Sequence, residues 1–447
     1  GGDPPFDLWP VDIRRFGKPH SEIEWVRERT HEMYGKHYTM AWPHEEHQSG
    51  RPFRCSPLYE ELKSQGACFG EKLGWERPNW FAPEGVTPED EYSFGEQNWV
   101  RYSGDEHRVA REAVAVFDQT SFGKFIVEGA DSAQALEWIC ANRIDRPVGS
   151  VIYTQLLNSR GGIESDLTVT RLAPDRFYLV TGTGFVTHDY HWIQRSLPEN
   201  LDVRITDQTD RFAVLSVMGP RSRELLARVA SENVDDTALP FAASRQLQVR
   251  SSVITAVRLT YVGELGYELH IPIDHALDVY RALISSGADL GIRNAGYRAI
   301  ESLRLEKGYR AWGSDLSPDH TPLEAGLGWA VKLTGKTDFL GKEALLQQKR
   351  EGVKKQLACF TTDASNINLI GRETIFRDDQ RVGWLTSAGF GHTIGRPIGY
   401  GYVRNADGVD REYLERGVYS LEIAGTRVPC SLHLEPLYDP ASSRIKG

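Results

Sequence analysis

Cysteine is scarce in this chain. The 447 residues hold five, at Cys55, Cys68, Cys140, Cys359 and Cys430, widely spaced and never in a CxxC pair. That argues against a disulfide framework or a thiolate zinc site, and for thiols kept reduced. Long apolar runs are missing too; none approaches the ~20 residues that cross a bilayer. The start, Gly1-Gly-Asp-Pro-Pro-Phe6, has no initiating methionine and no basic region followed by an apolar stretch. The expectation is a fragment, a processed chain or a trimmed one, without a secretory signal. Positive charge is in deficit: 52 Lys and Arg face 62 Asp and Glu, a formal net charge of -10. Such a surface opposes non-specific binding to nucleic acid or an anionic membrane, so neither is expected as a partner. A local basic pocket is not excluded.

Nucleotide-binding signatures fail at single positions. Gly335-Lys336-Thr337 would need a glycine at 330 to form a phosphate loop, and that residue is Ala330. Gly182-Thr-Gly184 follows a strand, but Thr187 stands where the dinucleotide fingerprint needs Gly or Ala. The chain therefore shows no flavin or nicotinamide site of its own. It also has no Gly-x-Ser-x-Gly nucleophile elbow. His37, His44 and His47 lie near Glu45 and Glu46, but no helix is expected there and Pro43 interrupts the stretch. We read it as a buried polar wrap and expect no metal.

What is present is a soluble globular composition, 40% apolar and 26% charged, long enough for roughly three domains. Residues 1–95 are dense in Pro, Trp, His and Gly. One helix is expected over His20–Met33, with Ser21 as N-cap. The rest reads as extended chain on a partner surface, because Trp42, Phe69, Trp75, Trp80 and Phe81 need something to bury them. Residues 96–345 mix strands and helices without strict alternation, which indicates an α+β fold. The expected strands include Phe122–Val127, Arg176–Thr181, Phe212–Val217 and Gly266–Pro272. The expected helices include Asp131–Cys140, Arg221–Ala230, His275–Ser285 and Tyr297–Lys307. Residues 346–447 carry short strands between Gly and Asp turns, the pattern of a small β-barrel.

The middle region is organised around Tyr153-Thr-Gln-Leu-Leu-Asn-Ser-Arg-Gly-Gly-Ile-Glu-Ser-Asp166-Leu-Thr-Val169. Two β-prone runs flank a turn cluster, so the stretch reads as a β-hairpin. If the turn centres between Ser159 and Arg160, Tyr153 stands opposite Asp166, with Cβ atoms ~5 Å apart on one face. A shift of one residue places Thr154 there instead. From these residues alone, a solvated Asp on an exposed strand is the ordinary reading.

The stretch resembles the substrate hairpin of the glycine-cleavage T-protein family, which binds tetrahydrofolate. The likeness runs from about Arg111 to the C-terminus. It includes Val116-Phe-Asp-Gln-Thr-Ser-Phe-Gly-Lys124, Val217-Met-Gly-Pro220, Gly263-Glu-Leu-Gly-Tyr-Glu268, Arg298-Ala-Ile-Glu-Ser-Leu-Arg-Leu-Glu306 and Thr321-Pro-Leu-Glu-Ala-Gly-Leu-Gly-Trp329. Residues 1–95 resemble the linker that follows the flavin domain in dimethylglycine and sarcosine dehydrogenases. Tyr34-Gly-Lys-His-Tyr-Thr39, Trp42-Pro-His44 and Phe69-Gly-Glu-Lys-Leu-Gly-Trp-Glu-Arg-Pro-Asn-Trp-Phe-Ala-Pro83 carry that likeness.

The resemblance implies a T-protein-like fold and a tetrahydrofolate site. Asp166 matches the family's catalytic carboxylate; Ser165 replaces an acidic residue often found before it. Glu268 matches the acceptor for the pterin amino and ring N–H edge. Tyr153, Tyr261, Arg298 and Trp329 match positions lining the folate cleft, and Arg444 is a looser match near the folate tail. Without the resemblance, Glu268 reads as a surface strand residue, Arg298 as a helix salt bridge and Trp329 as core packing.

The implied activity is the one-carbon half of a demethylating dehydrogenase. A flavin oxidises an N-methyl amine of the dimethylglycine or sarcosine class, and tetrahydrofolate captures the carbon as 5,10-methylenetetrahydrofolate. FAD is expected on a partner subunit or a missing N-terminal portion, in the cytoplasm or the mitochondrial matrix, with oligomers open. The rivals are a folate-dependent O- or S-demethylase and a non-enzymatic folate-binding assembly factor.

Overall fold

In a computed structural model, residues 6–335, 337–364 and 367–447 are described; Lys336 of the Gly335–Thr337 stretch lies outside them. They divide into two units. One contains the residues up to Asp12, Phe125–Asp207 and Arg304–Pro440. The other contains Ile13–Lys124, Gln208–Leu303 and Ala441–Gly447.

The first unit holds a five-stranded sheet ordered Val151–Leu157, Ile163–Ala173, Arg176–Thr181, Gly123–Glu128, Arg204–Asp207. Alternation along the hairpin divides its side chains between two faces. Ile152, Leu156, Leu167 and Val169 join Leu136, Ile139, Trp192 and Ile193 in one core. The last four come from the helices Ser132–Ile139 and Val186–Ser196. Tyr153, Leu157 and Ile163 pack with Leu316, Ala325 and Leu327 in a different cluster. Asp131 is the N-cap residue of the first helix, as expected, but its side chain makes no cap bond. Its carboxylate accepts the Asp202 N–H at 2.9 Å instead.

Past Glu351 the same unit closes into the expected barrel, with six strands. The first strand, Lys355–Thr361, pairs with the last, Thr426–His433, through Cys359↔His433 and Thr361↔Ser431. Closure leaves no edge to template other chains. The strand Arg396–Arg404 was not foreseen. Its Gly399 and Gly401 break the apolar alternation, yet a Cβ at Gly401 would stand 2.5 Å from the Trp384 carbonyl of the neighbouring strand.

The second unit is built on a six-stranded sheet ordered Ser244–Val249, Ser252–Val257, Gly266–Pro272, Phe212–Met218, Val114–Asp118, Ile292–Asn294. Leu225 and Leu226 of the helix Ser222–Val229, with Val279 and Leu283 of Ala276–Ser286, cover this sheet's Leu215, Val217, Leu269 and Ile271.

The early residues of this unit differ from expectation. The helix runs Ile23–Gly35 behind Glu22, and Ser21 ends a preceding 3-10 turn. Instead of extended chain throughout, there is a helix Tyr59–Ser64 and an antiparallel pair Ala67–Lys72 and Trp75–Phe81. Trp75 and Trp80 are buried within their own unit. Trp80 stacks on Tyr102 at 5.3 Å and donates to Asp90 at 2.8 Å. These two aromatics therefore do not need a partner; Trp42, 43% exposed, remains at the surface.

Candidate active site

The hairpin turn is made by Asn158. Its carbonyl accepts the Gly161 N–H at 2.9 Å, and its side-chain oxygen accepts those of Arg160 and Gly162 at 3.0 and 2.9 Å. Gly161 sits at φ +80°, a left-handed conformation suited to glycine. Beyond the turn, Leu157 faces Ile163, and a bulge at Glu164 then moves the pairing to Leu156↔Ser165 and Gln155↔Asp166.

The register is therefore two residues from the Tyr153–Asp166 pairing that a turn centred at Ser159 and Arg160 gives. Gly162 and Glu164 each add one residue to the second strand. Two additions preserve side-chain parity, so Asp166 still shares a face with Tyr153. The Tyr153 hydroxyl reaches diagonally across and donates to Asp166 Oδ2 at 2.9 Å. Trp329 stacks over the Tyr153 ring at 5.9 Å and 27°. With 72% of its surface exposed, Trp329 is not a core residue. Tyr153, Asp166 and Trp329 are thus brought together within one unit.

Burial raises the Asp166 carboxyl to about 6, against the lowering effect of the Tyr153 hydrogen bond, and the nearby Asp189 charge adds to the rise. A carboxylate so placed exchanges a proton near neutrality.

Sequence reasoning missed two neighbours. Gln155, directly opposite Asp166, has no exposed surface, and neither its amide nitrogen nor its oxygen has a hydrogen-bond partner among the described residues. The hairpin register was the signal for it. Ser165 points to the other face and donates to Asp189 Oδ2 at 2.8 Å. Asp189 lies in the helix Val186–Ser196, where nothing local marks it.

Tyr261, Glu268, Arg298 and Arg444 belong to the other unit. Glu268 lies on the strand Gly266–Pro272, facing Ser216 and Val257. It is buried, not a surface residue, and burial pushes its carboxyl up to about 7. Its carboxylate accepts no hydrogen bond among the described residues; His270 Nε2 stands 3.9 Å away. Tyr261 packs beside Val262, Met218 and Phe117. The Arg298 guanidinium lies 4.6 Å over the Trp99 ring and donates to the His44 carbonyl at 3.5 Å, in place of a helix salt bridge. Arg444 stands 4.0 Å from Glu264.

A carboxylate hairpin on an α+β body, followed by a small closed barrel, is the architecture of aminomethyltransferases. The family model described as the GCVT N-terminal domain matches residues 58–335. The glycine cleavage T-protein C-terminal barrel domain matches 355–439, and the FAD dependent oxidoreductase central domain matches 1–56. Human sarcosine dehydrogenase is 40% identical over 100% of this chain and 53% of its own length. Mouse dimethylglycine dehydrogenase is 36% identical over 100% of this chain and 51% of its own. The solved glycine cleavage system aminomethyltransferase T from Bartonella henselae superposes with a TM-score of 0.72 at 27% identity, covering 87% of this chain and 98% of that one. The chain belongs to the glycine cleavage T-protein family. It spans about half the length of the dehydrogenase relatives it matches. Among the described residues no helix is long and apolar enough to cross a membrane.

Proposed function

We propose that this chain binds tetrahydrofolate and transfers to it the carbon released from a flavin-oxidised N-methyl amine of the sarcosine or dimethylglycine class. The observation that carries the reading is the half-buried Asp166, held by Tyr153 beneath Trp329, at the position of the family's catalytic carboxylate. The residues suit a folate. Trp329 offers an exposed aromatic face, and Glu268 is a buried acceptor that lacks a donor, as a pterin N–H edge requires. Tetrahydrofolate, when bound, supplies the nitrogen nucleophiles that take up the carbon. Asp166 accepts a proton at Oδ and balances positive charge; Tyr153 holds that carboxylate in place; Tyr261 and Arg298 are assigned to folate binding by family correspondence. The catalytic contribution is mainly orientation and charge control.

In this reading FAD belongs to a partner subunit or to a further portion of the protein, and residues 1–95 form the contact to it. The match of residues 1–56 to a flavoenzyme central domain supports this. The setting is the cytoplasm or the mitochondrial matrix. Titration calorimetry with tetrahydrofolate tests the reading. Saturable binding to the folded chain supports it, and absence of binding overturns it.

A further inference from the structure

We propose that the His188–Asp189 pair is the positioning device for Asp166, holding the strand bulge that delivers this carboxylate to Tyr153. The inference rests on the reading of Asp166 as the acting carboxylate.

The two residues that precede Asp166 are both tied to this pair, from different sides. Glu164, the extra residue of the bulge, lies 3.4 Å from His188 Nε2 through its Oε2, while its Oε1 accepts from Asn158 Nδ2 at 3.0 Å. Ser165 donates to Asp189 Oδ2 at 2.8 Å, and the Thr181 hydroxyl donates to the same oxygen. His188 Nδ1 closes the network on Asp189 Oδ1 at 2.8 Å. Turn, bulge and third strand are thereby joined to one helix turn.

The stakes follow from strand geometry. Removing the bulge residue from the ladder slips the pairing by one, and a slip of one sends Asp166 to the opposite face, away from Tyr153. The bulge is therefore the feature that decides whether the carboxylate is usable, and His188 and Asp189 are the groups that grip it.

The grip is ionic at neutral pH. Burial alone would lower the His188 imidazole, but its hydrogen bonds to Asp189 and Glu164 outweigh that and push it up to about 9. The charged and titratable groups facing it are Asp189 on its own helix, Glu164 on the hairpin, and Asp7 on the N-terminal segment; Arg195 acts on Glu164. Trp9, edge-on at 4.6 Å, and Trp312, at 6.0 Å, sheathe the imidazole. Because the folded value lies above the ordinary 6.5, the stabilisation is fully present below about 6.5 and is lost as pH rises through about 9.

The test pairs a folate-free readout with a kinetic one. Hydrogen exchange of the folate-free chain is followed in wild type, His188→Ala and His188→Lys, the last keeping a cation between Glu164 and Asp189. We expect His188→Ala to speed exchange of the hairpin amides by about tenfold or more, with far smaller changes in the barrel. Capture of formaldehyde carbon by tetrahydrofolate, with the uncatalysed reaction subtracted, should lose roughly tenfold or more in kcat with KM within about twofold. His188→Lys should recover both. Unchanged hairpin exchange in His188→Ala overturns the proposal, as does faster exchange spread evenly over the unit or a lysine that recovers neither. If wild type captures no carbon, the folate reading fails instead, and the exchange arm still decides whether the pair holds the hairpin.

Discussion

Tyr153 and Asp166 are not cross-strand partners, yet the phenol of one holds the carboxylate of the other at 2.9 Å. The contact is diagonal: Tyr153 pairs with Thr168, and Asp166 pairs with Gln155. It exists because two extra residues on the second strand leave both side chains on one face.

That contact makes the pH dependence of carbon capture predictable. Asp166 has its midpoint raised from an ordinary 3.8 to about 6, chiefly by burial. Its base form is therefore lost as pH falls through about 6, and capture at saturating folate should decline below that pH along a one-proton limb. The Tyr153 hydrogen bond works against the rise. In Tyr153→Phe the limb should move to higher pH. A pH–rate profile of both proteins checks this; a limb that stays in place contradicts the assignment.

Glu268 should govern affinity. Its carboxyl is pushed up to about 7 by burial, and it accepts no hydrogen bond among the described residues. A folate N–H donor favours the ionised form, so affinity should rise as pH passes upward through about 7. Glu268→Ala should weaken binding by about 1.5–3 kcal/mol through loss of a charge-assisted hydrogen bond. Calorimetry across that pH range measures both effects.

Gln155 offers a test of stability. A buried amide with no partner costs free energy, and an apolar side chain of similar shape removes that cost. Gln155→Met should hold or raise stability by about 1 kcal/mol. Thermal unfolding of the folate-free chain measures it, and a marked fall in melting temperature would mean the amide has partners that matter.

Much of this molecule was legible in its sequence. The strand Arg176–Thr181 and the helix Tyr297–Lys307 stand where periodicity places them, since each carries a clear pattern and clear end signals. The hairpin was legible as a hairpin, but its register was not. The bulge at Glu164 is set by His188 and Asn158, and His188 is distant in sequence. The same limit explains Trp75 and Trp80. Their burial depends on partners such as Tyr102 and Asp90, in segments the local pattern does not connect. Gln155 escaped notice because its neighbour across the ladder followed from a register that was two residues off.

The account's central claim is that Asp166 acts in the chemical step. Single-turnover formation of 5,10-methylenetetrahydrofolate from saturating tetrahydrofolate and formaldehyde, with the uncatalysed condensation subtracted, tests it most directly when wild type is compared with Asp166→Ala. The account predicts that the variant loses roughly 100-fold or more in rate while its folate dissociation constant changes by less than about threefold, as for a group whose interactions matter mainly in the transition state. Equal rates in the two proteins would contradict it.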